Sequence, residues 1–172
     1  MKLRFFSLLG VMGAGALLRI LPHPWNFTPI AAMALFGGAH FQTRRAAFAV
    51  PLGTLFLSDI VLGLYPHMWY QYFCFALVVC IGWAIRNRSS AIVTMAAAVT
   101  SSVLFFVVNN FGVWWLENLY PKNWQGLMAC YTAALPFFQG TFFGDLMYTA
   151  LFFGAFHLAE RRFPALQRTC AV

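Results

Sequence analysis

Two aspartates in apolar surroundings, Asp59 and Asp145, are the residues of this sequence whose chemistry most needs a reason. A carboxylate at the centre of a bilayer costs about 2.5–3.5 kcal/mol on insertion scales, and such a group faces a cavity or a partner. Asn109 and Asn110 fall at a comparable height on a neighbouring apolar run. The four together either orient a polar ligand or hold the fold by bonding to loop amides, asparagine and tyrosine, because buried polar networks serve both ends. An aspartyl pair sharing one proton would need close approach. No Gly-x-Ser-x-Gly elbow, His-Glu-x-x-His pair or phosphate-cradling loop accompanies them, and the chain has only four acidic residues, so binding is expected rather than catalysis.

The remaining chemistry-bearing residues are histidines, cysteines and aromatic rings. His23 and His67 each adjoin a proline, and His23 lies in Leu21-Pro22-His23-Pro24-Trp25-Asn26-Phe27-Thr28-Pro29-Ile30, whose three prolines remove backbone donors and enforce an extended connection. Between membrane-length runs, bare backbone of this kind must meet water or line a protein cavity. His40 and His157 sit at the opposite ends of their runs; facing imidazoles at one depth would suit haem, and capping or hydrogen bonding near a helix end is the plainer role. Cys74 and Cys80, six apart, point away from each other on a helix and cannot form a two-thiolate site. Either alone could ligate a metal carried by a substrate, or serve as a small buried hydrophobe. Cys130 and Cys170 add no zinc-like spacing.

A composition of 62% hydrophobic and 9% charged residues with a mean hydropathy of +0.73 excludes a soluble domain. The net charge of +7 is spread in short basic pairs between apolar runs, which argues against nucleic acid and for membrane topology. Residues 2–18 carry features of a signal peptide, but the apolar run continues to Ile20 and reads as a first span. At about 20 residues per span, six transmembrane helices are expected near 4–20, 29–42, 46–63, 68–85, 91–116 and 138–159, with a short surface helix over 123–135. They would form a single domain over 1–172. Lys2, Arg4, Arg44, Arg45, Arg86, Arg88, Arg161, Arg162 and Arg168 then fall on one side, and Arg19 and Lys122 on the other. The positive-inside rule therefore puts both termini in the cytoplasm and the proline loop outside.

On that topology Trp25, Trp69, Trp114, Trp115, Trp124 and all six tyrosines belong to the outer half, with Trp83 alone clearly inner. An interfacial belt would populate both surfaces; a pocket opening outward, lined by rings with polar tips, explains the bias. An outer domain packed by aromatics is the competing explanation. The expected ligand contacts are His23, Trp25, Asn26, Phe27, Asp59, His67, Trp69, Tyr72, Asn109, Asn110, Trp114, Trp124, Asp145 and Tyr148.

Several blocks carry a resemblance. Pro22-His23-Pro24-Trp25-Asn26-Phe27-Thr28-Pro29-Ile30-Ala31-Ala32-Met33-Ala34-Leu35-Phe36-Gly37-Gly38-Ala39, Pro51 with Leu57-Ser58-Asp59, Asn110-Phe111-Gly112-Val113-Trp114, Tyr120-Pro121-Lys122, and Pro136-Phe137-Phe138 with Gly144-Asp145 together resemble an uncharacterised family of bacterial membrane proteins. That family is similar in fold to the S components of energy-coupling factor transporters, six-helix proteins that bind vitamins from outside. The resemblance implies an all-α bundle in the bacterial cytoplasmic membrane and loops near 22–28 and 120–131 that close over a vitamin-sized ligand. Cobalamin or another corrinoid is the first choice, with Cys74 or Cys80 as a candidate cobalt ligand. It also implies docking through small residues of the first helix, here Gly10 and Ala14, onto a transmembrane coupling protein driven by two ATPases. No cofactor of its own and no nucleic-acid partner are expected; a haem or redox protein and an accessory subunit without ligand are the alternatives.

Overall fold

The computed structural model describes residues 2–88 and 90–167; Arg168, one of the basic residues expected on the cytoplasmic side, and Cys170 lie outside them. The described chain is all-helical: α1 (Lys2–Ile20), α2 (Ile30–His40), α3 (Arg44–Leu62), α4 (Met68–Ile85), α5 (Ala91–Leu116), α6 (Trp124–Arg162) and a short 3-10 turn over Pro164–Leu166. All but α2 are long and apolar enough to cross a membrane, so the chain has the build of a multi-pass membrane protein. The five long helices form a ring in the order α1, α3, α4, α5, α6, closed back to α1 through the 3-10 turn, and α2 touches all five.

The shortness of α2 follows from its ends. Proline at 22, 24 and 29 keeps the preceding chain out of helix, and α2 begins only at Ile30. Eleven residues rise about 16 Å, roughly half the 30 Å hydrocarbon core. Nine of the eleven, Ala31 to Ala39, are buried, as a helix surrounded on all sides requires. Small residues let its neighbours close in: a Cβ on Gly38 would stand 2.3 Å from the Val79 carbonyl oxygen, one on Gly82 2.2 Å from that of Leu35, and one on Gly37 2.2 Å from Pro51 Cγ. Backbone thus meets backbone at the α2–α4 crossing.

Two differences from the expected elements have clear causes. The separate surface helix over 123–135 is instead the start of α6, which runs unbroken through Pro136 for 39 residues. Asn123 caps it, accepting a hydrogen bond from the Gly126 N–H at 2.8 Å, so the helix starts twelve residues before the proline that was expected to stop a helix. At about 58 Å α6 exceeds any bilayer core and pairs with the far end of α5 as a projecting hairpin. There Tyr131 OH donates to the Val107 carbonyl at 2.6 Å and Trp114 Nε1 to that of Pro121 at 2.8 Å. Secondly, α2 is a half-length core helix rather than a spanning one.

Candidate functional site

The residues expected to converge beneath the proline loop occupy four separate places. Asp59, near the end of α3, is 1% exposed and enclosed by protein. Arg19 Nη2 of α1 donates to its Oδ1 at 2.5 Å, and Tyr72 OH of α4 to its Oδ2 at 2.5 Å. Arg19 also donates to Ser58 Oγ and, at 3.3 Å, to the Leu55 carbonyl. Both carboxylate oxygens and much of the guanidinium are committed, so this cluster is a three-helix lock. Tyr65, in the α3–α4 connection beside it, is raised above the ordinary tyrosine range, first by burial and then by the Asp59 charge, with Arg19 opposing. It stays a neutral hydroxyl and donates to Gln71 Oε1.

Asp145 of α6, 3% exposed, lies 2.6 Å from Ser102 Oγ of α5. One turn beyond it, Thr149 Oγ1 is buried without a hydrogen-bond partner among the described residues, as is Ser101 Oγ. Tyr148 packs on Phe27 with ring centroids 5.6 Å apart, and Phe27 Cα would lie 3.3 Å from a Cβ on Gly144. The loop therefore rests on α6. The Trp25 side chain looks outward, 83% exposed and beside Phe137 at 6.4 Å, while its carbonyl oxygen packs on Gly140 of α6 and Asn26 holds a positive φ of 56°. His23 sets its ring nitrogens 3.1 and 3.2 Å from the Pro24 and Arg19 carbonyls, tying the loop to α1.

His67, at φ 58° before α4, and Asn109 line a crevice of about 90 Å³ with Tyr65, Tyr70 and Glu117. A second crevice beside Arg19 and Ser58 is about 10 Å³. Small-molecule sites run to about 300–1,000 Å³, so neither holds a vitamin in this conformation. Asn110 is used locally, donating to the Phe106 carbonyl at 2.7 Å. Trp114 closes the hairpin through Pro121, and Trp69 and Trp124 are exposed. Cys74 is fully buried and Cys80 exposed; neither lines these crevices or the cavity described next. Gly10 and Ala14 lie exposed on α1.

The large cavity is at the other end, where the arginines gather. It measures about 750 Å³ and lies among Arg4, the ends of α2 and α4 (His40, Arg86), the first turns of α5 (Ala91, Thr94, Met95) and the last turns of α6 (Ala150, Phe153, His157). Antiparallel α5 and α6 are joined at Val107–Tyr131, Phe106–Phe138 and Ser102–Asp145, and nearer the basic end Met95 of α5 and Ala150, Phe153 and Gly154 of α6 line the cavity. Small residues keep it open: a Cβ on Gly154 would touch nothing within 4 Å. His40 is stacked on Phe36 at 4.1 Å, Arg86 lies 3.8 Å over the Trp83 ring, and Arg4 pairs with Glu160. In the sequence His40 and His157 stand out at this depth, whereas Arg4, Arg86 and Arg88 carry no signal beyond membrane topology. Among the described residues no group of three histidine, cysteine or acidic side chains is placed to hold a metal.

Comparison with known proteins gives one result. A family model described as a family of unknown function (DUF6580) matches residues 1–166, nearly the whole chain, and the chain belongs to that family. No curated protein and no solved structure matches it.

Proposed function

We propose that this member of the family is a small-molecule binding and uptake protein of the bacterial cytoplasmic membrane. In this reading it acts in the manner of an energy-coupling factor S component, and the conformation described is its inward-open, outside-shut form. The basic end is cytoplasmic by the positive-inside rule. The observation that carries the reading is the cavity of about 750 Å³ at that end, a volume suited to a vitamin-sized compound. The opposite end is closed by the Arg19–Asp59–Tyr72 lock and by the proline loop on α6. A half-length helix at the centre of the bundle supports the same reading, since transporters place interrupted helices where a substrate path crosses the membrane.

Outward access would require the loops near 22–28 and 120–131 to lift and the lock to part, bringing Trp25, His67 and Asn109 toward an entering ligand. The exposed small face of α1 at Gly10 and Ala14 is the surface on which a membrane coupling partner would dock. The test is mass spectrometry of small molecules retained by the gently purified protein, wild type beside Gly154→Phe, which sets a ring into the open space of the cavity. A vitamin-sized compound on the wild type that is lost from the variant is the expected result. Identical, empty preparations of both would overturn the reading.

A further inference from the structure

Arg4 is the unusual residue of the large cavity. It is 4% exposed, and Nη1 alone is engaged, donating to Glu160 Oε1 and to the Leu166 carbonyl. Nε and Nη2 are buried with no hydrogen-bond partner among the described residues. These two nitrogens form one edge of the guanidinium, with parallel N–H bonds in the spacing that matches two oxygens of a carboxylate or phosphate. Leaving two charged donors buried and unsatisfied costs several times an ordinary hydrogen bond. Both are shielded in this conformation, and because Arg4 is one of the lining residues of the cavity, a turn of the guanidinium would bring this edge onto an acid group placed there. Phe156 lies beneath the guanidinium, 5.2 Å from its central carbon to the ring centroid.

The surroundings have the matching sign. Arg86, Arg88, His40 and His157 share the lining, and its one carboxylate among the described residues, Glu160, is already paired with Arg4. Away from this cationic rim the walls turn apolar, with Met95 and Ala91 of α5 facing Ala150, Phe153 and Gly154 of α6. The α5 and α6 walls of the cavity belong to consecutive members of the outer ring. A basic pocket between transmembrane helices at the cytoplasmic face is the setting in which anionic headgroups bind.

We propose that the cavity takes an acid-headed amphiphile, its phosphate or carboxylate on the free Nε/Nη2 edge of Arg4 and its apolar body between α5 and α6. This rests on the reading of the cavity as a ligand site and names the class of ligand. The acid group could belong to a phospholipid of the surrounding leaflet or to a soluble phosphorylated or carboxylated compound.

Native mass spectrometry of the delipidated protein separates these. The probes are phosphatidylglycerol, phosphatidylcholine with the same acyl chains, and inorganic phosphate, each offered to wild type, Arg4→Lys, Arg88→Gln and Gly154→Phe. Lysine keeps a charge for Glu160 but loses the fork, and the exposed Arg88 is replaceable without touching the fold. The expected result is retention of phosphatidylglycerol at least tenfold above phosphatidylcholine, falling tenfold or more in Arg4→Lys and Gly154→Phe and less in Arg88→Gln. Phosphate that displaces this lipid in an Arg4-dependent way also supports the acid site and points to a soluble ligand. Equal binding of the two lipids, or binding indifferent to Arg4→Lys, overturns the proposal. The two readings fail separately: a neutral vitamin-sized compound held in the cavity sinks the acid head and leaves uptake standing, a phospholipid as sole occupant does the reverse, and an empty cavity sinks both.

Discussion

Asp59 was conspicuous in the sequence because a charge in an apolar run must be answered, but the answer, Arg19, lies 40 residues away and counted only as a charge on one face. Pairwise geometry of that kind leaves no mark in composition or spacing. Arg4 and Glu160, 156 residues apart, were hidden for the same reason. The lock makes a definite prediction. Removing one partner of a buried ion pair costs about 3–5 kcal/mol, whereas replacing both by apolar groups of similar volume is often neutral. Arg19→Met or Asp59→Leu alone should therefore lower thermal stability in detergent sharply, and the double variant should recover most of it. Additive losses in the double variant would show that the two side chains do not depend on each other.

Helices were the most legible level. Hydrophobic runs broken by Pro22, Pro24 and Pro29 and by Gly63 to His67 mark α1, α3 and α4 within a few residues, and α5 covers the expected range. The misreading fell at Pro136, where a proline was given the power to end a helix whose N-cap at Asn123 and pairing with α5 carry it through. The α2–α4 crossing was also invisible, because Gly38 and Gly82 look like any glycines in a span. Gly38→Ala would force a methyl against the Val79 carbonyl, and Gly82→Ala one against that of Leu35; overpacking of this kind costs about 1–3 kcal/mol. Gly10→Ala, with open space around it, should be neutral or slightly stabilising. Detergent melting curves of the three variants check this, and equal stability for all three would mean the crossing is looser than described.

For the molecule as a whole, the aromatic bias toward the proline-loop end suggested a hollow there, and the physical lesson lies in why rings misled. Side chains fill or clothe that end, with Trp25, Trp69 and Trp124 exposed and only about 90 Å³ left in its larger crevice. A cavity is made by side chains that are missing, and Ala91, Ala150 and Gly154 are indistinguishable in sequence from ordinary helix-packing residues. An uptake protein in this conformation must open its cavity to the cytoplasm. Ala150 is exposed on α6 and lines the cavity, so a cysteine placed there, with the native cysteines changed to serine, reports access directly. A membrane-impermeant maleimide should label Ala150→Cys in inside-out vesicles and not in right-side-out ones. Labelling from the periplasmic side, or from neither side, would contradict a ligand cavity open to the cytoplasm.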